Sequence, residues 1–321
     1  MKKWGGYILC FLFTLFLLFG CSCNSNEEDE DMRASVGFGD LNATSYVELE
    51  TTEELIAKID NKDSFVLFVY SPWCGHCTNF KPILNSVIYE RHLIVYAIQG
   101  SKIGGVESLE PIDGVPSLAV YKNGEINVIT DPSINQTYFS SVKGLKTFFD
   151  EYTHDPIGYY LNLEQLREKK TNQENFIVYF EDSNLESSKY LNDNYMKDLY
   201  ETYHANKEFY ILDLDDYDYE EKQAIKNEFG LSASGSATFG YKDGVTPTFQ
   251  FYRNGELADM AVFANDELTE NGDSITIVGS YYSDNIHIGE TMLKSEYYST
   301  IDDFYNSKIN SFLSQYLRFV D

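Results

Sequence analysis

The stretch PSLAVYKNGE at residues 116–125 returns as PTFQFYRNGE at residues 247–256. Each version begins with proline, continues with β-prone residues and a tyrosine, and ends with a basic residue and Asn-Gly-Glu. Asn-Gly between two apolar runs is the strongest short signal for a β-hairpin. The sequence therefore predicts the same hairpin twice, as part of an internal repeat.

The elements before the first hairpin follow an α/β order. A helix is expected from Thr51, a central strand over the apolar run at residues 65–70, and a helix from Cys77. A second buried strand is expected over residues 93–98, and a closing helix over residues 142–152.

The second half is predicted to follow the same order. Strands are expected near residues 176–180 and 209–214, an extra hairpin at Asn271-Gly272, and a last helix from Thr300, capped by Thr300 with Asp303. Residues 154–170, with Asp155-Pro156 and Gly158, are interpreted as the linker or boundary between the two halves. The predicted segments are a signal peptide at 1–20, an acidic tether at 21–43, a first domain at 44–153 and a second at 154–321.

Bulk properties limit the functions that are possible. The 321 residues suffice for about two domains, and 43% hydrophobic and 16% aromatic residues allow a real core. The formal net charge of −27 argues against nucleic acid as a partner and against electrostatic docking onto anionic lipid.

The first residues resemble a secretion signal. Lys2 and Lys3 precede an apolar run, and the run ends in Leu-Phe-Gly-Cys at residues 18–21. This end resembles a bacterial lipobox, although Phe19 departs from the usual small or β-branched residue. The resemblance implies a lipid on Cys21 and an extracytoplasmic, membrane-anchored lipoprotein. An uncleaved anchor and a cytoplasmic protein remain as alternatives.

Five cysteines are present, and the predicted secretion signal indicates where each one ends up. Cys10 leaves with the signal, Cys21 takes the lipid, and Cys23 lies beside the membrane. Only Cys74 and Cys77 belong to a folded domain, and cysteines so close in sequence constrain almost nothing as a disulfide. A disulfide scaffold is therefore excluded.

Cys74-Gly75-His76-Cys77 carries the candidate chemistry. At the start of a helix, Cys74 lies near unpaired N–H groups and the positive end of the helix dipole, which favour its thiolate. His76 can add a positive charge when it is protonated, and Cys77 is the expected resolving thiol. Trp73 is expected at an apolar rim.

Other interpretations of these residues stay open. The Cys-x-x-Cys could be half of a zinc site or an inert structural disulfide, but the other histidines are scattered along the chain. His76 could be an ordinary surface residue. We expect no metal and no cofactor beyond the redox-active disulfide.

The first half resembles the thioredoxin and protein disulfide isomerase family. The resemblance rests on SPWCGHC at 71–77, on Pro82, and on GVPSLAVYKNGE at 114–125. It implies two tandem thioredoxin-like domains, each a central mixed sheet flanked by helices, the second lacking Cys-x-x-Cys.

The resemblance also assigns roles to further residues. It implies a cis Val115-Pro116 bond beside the cysteines, with the Val115 backbone pairing with substrate; an ordinary turn proline is the alternative. Relatives usually carry a buried carboxyl six residues before the first cysteine, as a proton relay, but this chain has Phe68 there.

The second copy has no thiol where the cysteines would lie, near residues 184–188. Its Thr246-Pro247 edge remains, so it is expected either to bind a partner or to brace the first domain.

The favoured hypothesis is a thiol–disulfide oxidoreductase that acts on exported cysteine-containing proteins and exchanges electrons with a further redox partner. A non-catalytic, chaperone-like binding protein is the alternative. Gly75-His76 resembles isomerases and oxidases, whereas Val115 before Pro116 resembles thioredoxins, so the sequence leaves the direction of exchange open.

Overall fold

The computed structural model describes residues 33–184, 186–196, 199, 208–231, 246–262, 267–279 and 289–320. The expected signal peptide and the lipidation site at Cys21 lie outside these residues. Within them, no helix is both long enough and apolar enough to cross a membrane.

Strands and helices alternate through most of the chain. The strands are β1 (Ala34–Ser35), β2 (Gly39–Asp40), β3 (Val47–Glu48), β4 (Phe65–Tyr70), β5 (Val95–Gln99), β6 (Ser117–Lys122), β7 (Glu125–Thr130), β8 (Thr153–His154), β9 (Gly158–Tyr160), β10 (Phe176–Glu181), β11 (Phe209–Asp213), β12 (Thr248–Arg253), β13 (Glu256–Val262), β14 (Glu267–Asn271), β15 (Ser274–Gly279) and β16 (Thr291–Leu293). The helices are α1 (Thr52–Asp60), α2 (Gly75–Arg91), α3 (Gln136–Ser140), α4 (Val142–Tyr152), α5 (Leu163–Thr171), α6 (Glu186–Leu191), α7 (Tyr219–Glu228) and α8 (Lys294–Tyr316). A π-helical turn, Asn192–Met196, extends α6.

The first unit is a mixed sheet covered on both faces, which confirms the predicted α/β fold. Its strand order is β3-β5-β4-β6-β7, with β4 parallel to β5 and antiparallel to β6. Val66 and Phe68 face α2 and α4, while Phe65 and Leu67 face α1 and the loops beyond β5. All six residues of β4 are buried, because a central strand with two covered faces has no solvent side.

The second unit repeats this order. Its sheet runs β9-β11-β10-β12-β13, with β10 parallel to β11 and antiparallel to β12. The same aromatic pair fixes the register in both units: Phe65 stacks on Tyr121 with ring centroids 4.5 Å apart, and Phe176 stacks on Tyr252 at 4.7 Å. Phe176 therefore corresponds to Phe65.

Residues 33–43, here called the strap, are not part of a free tether as the sequence predicted. Instead of remaining free, Ala34 and Ser35 pair with β8, and β2 adds a strand beside β9. The amide of Asp40 also donates to the carbonyl of His92 at 2.8 Å. The strap is therefore bonded to both units. The polar composition of the strap gave no sign of this strand pairing, because short edge strands pair through backbone groups and need no apolar period.

Residues 154–170, expected to be a linker or boundary, do not form a linker. They contain β9 and most of α5, which are the first strand and first helix of the second unit. Asn162 caps α5 in a capping box with Gln165. Asp155-Pro156 and Gly158 suggest a loop, but only the turn before β9 is irregular.

The C-terminal helix starts earlier than expected. It begins after Leu293, so Thr300 lies inside α8 and Asp303 does not form a cap. The extra hairpin at Asn271-Gly272 is confirmed, because β14 and β15 pair antiparallel around it.

Candidate active site

Cys74 is the N-terminal cap of α2. Its sulfur accepts the backbone N–H of Cys77 at 3.1 Å, so the first turn of the helix is closed onto sulfur. The backbone around it is fixed by the Cys74 amide, which donates to the carbonyl of Ser71 at 3.2 Å. The Cys74 side chain is only half-buried at the helix N-terminus and remains accessible.

Cys77 lies one turn deeper and is fully buried. Burial raises the pKa of its thiol to about 12, and the hydrogen bond with Cys74 acts in the same direction. Both cysteines are free thiols. The two sulfurs are therefore unequal: Cys77 stays protonated at neutral pH, whereas Cys74 faces the surface.

The loop before β6 closes over Cys74. The Cys74 thiol donates to the carbonyl of Val115 at 3.4 Å, and the Val115-Pro116 bond is cis. Ser117 holds the turn, because its hydroxyl donates to the carbonyl of Gly114 at 2.6 Å. The structure thus brings together the Cys74 sulfur and the Val115 backbone, as the sequence predicted.

The rim around the cysteines is open. Trp73 is 93% exposed, and His76 also has an exposed side chain. An apolar ring of this size in water next to an accessible sulfur suits contact with a partner protein.

Phe68 occupies the position of the missing carboxyl and belongs to the aromatic core. Its ring lies 5.4 Å from Tyr70, 5.5 Å from Phe80 and 5.7 Å from Tyr46, measured between ring centroids. The side chain is fully buried.

Sequence reasoning missed a polar group beside this core. The hydroxyl of Tyr70 donates to the carboxylate of Glu48 at 2.9 Å, and the ammonium of Lys81 lies 3.9 Å from the centroid of the Tyr70 ring. Lys81 follows Cys77 by one helical turn, which was the only signal in the sequence.

The first unit is similar in sequence to known proteins. Residues 45–141 match the family model described as Thioredoxin. This part of the chain is a thioredoxin domain. Protein disulfide-isomerase from Oryctolagus cuniculus is 31% identical to the chain over 118 residues, which are 36% of this chain and 22% of that protein. The enzyme of the same description from Gallus gallus is 31% identical over 116 residues, or 35% and 21% of the two chains. The matched segment is thus about a fifth of these relatives.

Solved structures are similar to the thioredoxin domain as well. A mutant thioredoxin from Halobacterium salinarum NRC-1 has 20% identity and a TM-score of 0.29, covering 35% of this chain and 93% of its own. Thioredoxin O1 from Arabidopsis thaliana in the oxidized state has 20% identity and a TM-score of 0.27, covering 34% and 97%.

Two features of the cysteine site recur in the second unit without sulfur. With Phe176 in the place of Phe65, Cys77 corresponds to Ser188, which is also fully buried on the helix after the central strand. The Thr246-Pro247 bond is cis, as in the thioredoxin domain. A buried residue at the position of Cys77 and a cis proline turn are therefore both present where the thiols are absent.

In the second unit, ion pairs and hydrogen bonds fix the loop that corresponds to the segment before Cys74. Asp182 is buried and accepts from Lys222 at 3.3 Å and from Lys226 at 3.2 Å. Asp215 accepts the amide of Ser183 at 2.9 Å and pairs with Lys222 at 2.7 Å. Where the thioredoxin domain exposes Trp73, the second unit has charged and polar groups bonded to one another.

Proposed function

We propose that the chain is an extracytoplasmic thiol–disulfide oxidoreductase whose chemistry resides in the thioredoxin domain. The observation that carries this proposal is the contrast between the accessible Cys74 sulfur, capping α2 beside the Val115 carbonyl, and the buried Cys77 thiol beneath it. The contrast supports an order in which Cys74 attacks first and Cys77 second.

In the proposed reaction, the Cys74 thiolate attacks one sulfur of a partner disulfide, and the other partner sulfur leaves as a thiolate. The Cys77 sulfur then attacks Cys74, and the bond between Cys74 and the partner breaks. The partner is reduced by two electrons and the Cys74–Cys77 pair is oxidised to a disulfide. The reverse sequence oxidises a partner dithiol.

The cis Val115-Pro116 turn would hold the substrate. The Val115 carbonyl lies against the Cys74 sulfur, so an extended peptide paired with this backbone would bring its own cysteine to Cys74. Trp73 would cover one side of that peptide.

Trapping of covalent intermediates tests the order of attack. We expect Cys77→Ser to accumulate mixed disulfides with cysteine-containing proteins, because attack remains and resolution is blocked. The matched control, Cys74→Ser, should trap none and should lose insulin reduction. Trapping by Cys74→Ser instead would assign the attack to Cys77 and contradict the proposal.

We further propose that Cys21 carries a lipid which anchors the protein outside the cytoplasm. Lys2, Lys3 and the apolar run that ends at Cys21 support this address. Metabolic labelling with a radioactive fatty acid should mark the native chain and leave Cys21→Ala unmarked. Equal labelling of the Cys21→Ala variant would contradict it.

A binding role is the second candidate function, and the second unit favours it. The cis Thr246-Pro247 turn is kept although no thiol accompanies it. A partner bound there and at Val115 would gain affinity through effective concentration. Deleting residues 158–321 should then leave insulin reduction largely intact and weaken reduction of folded proteins. Equal activity on both kinds of substrate, with equal stability, would contradict a role for the second unit in binding or in bracing.

A further inference from the structure

The thioredoxin domain lacks a buried acid that could assist Cys77. Phe68 fills the position six residues before Cys74 with an aromatic ring. The resolving step needs the Cys77 sulfur as a thiolate. Burial opposes this, because it raises the pKa of the thiol to about 12. Some other group must favour the charged sulfur if resolution is to be fast.

Lys81 is placed to do so. It lies on α2 one turn after Cys77, and residues four apart on a helix are neighbours on its surface. Its ammonium is 3.9 Å from the centroid of the Tyr70 ring and 5.4 Å from that of Tyr46. Contact with two ring faces holds the charge over β4 rather than in open solvent.

Tyr70 is itself held in place. Its hydroxyl donates to the Glu48 carboxylate at 2.9 Å, and its ring stacks on Phe68 with centroids 5.4 Å apart. Glu48 comes from β3, so Tyr70 of β4 joins this strand to the lysine of α2.

We propose that Lys81 is a positioning residue for resolution: its ammonium, held on the Tyr70 ring by the Tyr70–Glu48 hydrogen bond, favours the Cys77 thiolate. This inference rests on the proposed oxidoreductase function. In this proposal Lys81 of α2 assists Cys77, whereas the relatives use a buried carboxyl for this purpose.

The charges around Cys77 support this assignment. Cys74 and Lys81 lie on its own helix, Glu48 and Tyr46 come from the segment before α1, and Tyr70 comes from β4. Burial and the neighbouring Cys74 raise the pKa of Cys77, whereas a backbone hydrogen bond from Ser71 and the charge of Lys81 lower it. A positive charge near a thiol favours its thiolate.

The second unit provides an internal comparison. With Phe176 matched to Phe65, the places of Tyr70 and Lys81 are taken by Glu181 and Asn192, and Tyr160 lies at the position of Glu48 on the neighbouring strand. The second unit also has a tyrosine–carboxylate hydrogen bond, but the two residue types have changed strands. Here the tyrosine is on β9, and the Tyr160 hydroxyl donates to Glu181 of the central strand at 3.4 Å. The lysine is absent from the unit that has no thiol.

In the step concerned, Cys77 loses its proton and its sulfur bonds to the Cys74 sulfur. The bond between Cys74 and the partner sulfur breaks, and the departing thiolate takes up the proton. In this step one disulfide replaces another: the Cys77 sulfur is oxidised and the partner sulfur is reduced. Over attack and resolution together, the Cys74–Cys77 pair loses two electrons and the partner disulfide gains them. Lys81 exchanges no atom; it acts by charge on the thiolate that forms.

The test separates attack from resolution in the full chain. Reduced protein is mixed with glutathione disulfide, quenched with acid, and analysed by mass for the glutathione adduct and the internal disulfide over a range of pH. We expect Lys81→Met to slow decay of the adduct about tenfold at neutral pH and to move its pH profile up by about one unit. Lys81→Arg should retain the native profile.

Two controls identify the cause. Lys189→Met removes an exposed lysine of α6 and should leave both steps unchanged. Attack, measured as adduct formation in the Cys77→Ser background, should not change when Lys81→Met is added. Identical decay profiles for the native chain and Lys81→Met would overturn the inference, and so would equal slowing of attack and resolution. If the native chain forms neither the adduct nor the internal disulfide, the proposed function itself fails.

Discussion

Cys77 and Ser188 occupy the same position in the two units. Each is the third residue of the helix after the central strand, each follows the stacked phenylalanine of that strand by an equal number of residues, and each is fully buried. One unit therefore keeps a buried thiol with a partner sulfur above it. The other keeps a buried hydroxyl.

The Ser188 hydroxyl has no hydrogen-bond partner among the described residues. A buried polar group without a partner costs about 1–3 kcal/mol, and alanine is also the better helix former. We expect Ser188→Ala to increase the free energy of unfolding by about 1 kcal/mol, measured by denaturant titration.

Thr248→Val is the control for that substitution. Thr248 is equally buried, but its hydroxyl donates to the carbonyl of Ala261 at 2.9 Å. Its loss should lower the free energy of unfolding by about 1 kcal/mol. Destabilisation by Ser188→Ala would mean that the hydroxyl is bonded after all.

Glu181 should make stability depend on pH. Burial, and then the charge of Asp213, raise the pKa of this carboxyl from 4.5 to about 7. Because the folded-state pKa is raised, the stabilising contribution is complete below the unfolded pKa and is lost as the pH rises through about 7. The loss is roughly 3 kcal/mol.

Glu181→Gln removes this titration and keeps an acceptor for Tyr160. Denaturant titrations between pH 4.5 and 8 should show a steeper fall in unfolding free energy for the native chain than for the variant. Parallel curves would show that Glu181 is ionised in the folded protein throughout this range.

The buried ion pairs of Asp182 should matter more than an exposed one. Asp182 has a side chain only 7% exposed and accepts from two lysines. Asp182→Ala leaves both ammonium groups partly uncompensated, so we expect a loss of about 3 kcal/mol in the free energy of unfolding.

The comparison is Arg167→Gln, which breaks the exposed pair with Glu228 at 2.6 Å. That change should cost less than about 1 kcal/mol. Equal losses in the two variants would show that burial does not strengthen the Asp182 network.

Gly39 allows the strap to pass between the two units. A Cβ atom there would lie 2.5 Å from the His92 carbonyl oxygen and 2.5 Å from the Tyr159 ring. Gly39→Ala should therefore lower the free energy of unfolding by about 1–3 kcal/mol and speed hydrogen exchange at the Asp40 amide, which bonds to His92.

Gly104→Ala is the matched control, because nothing lies within 4 Å of a Cβ atom at that position. It should leave both stability and exchange at Asp40 unchanged. Unaltered exchange in Gly39→Ala would show that the strap accommodates the extra methyl group.

Local sequence was sufficient wherever short-range chemistry sets the backbone. Asn123-Gly124 and Asn254-Gly255 have the positive φ angles that this type of hairpin turn requires, and both hairpins were predicted. Cys74-Gly75-His76-Cys77 predicted a helix start with a capping sulfur, because the cap and the helix dipole involve adjacent residues.

Tertiary structure decided the features that depend on distant residues. The strap is bonded through backbone groups to strands more than a hundred residues away, and a polar composition carries no sign of such pairing. The contact of Lys81 with Tyr70, and of Tyr70 with Glu48, joins a helix and two strands. The sequence by itself determined the repeated fold and the position of the Cys74–Cys77 pair at a helix start, because periodicity and capping act over a few residues. Only the folded sheet decided which charge lies beside the buried thiol, since that depends on which side chains the strands bring together.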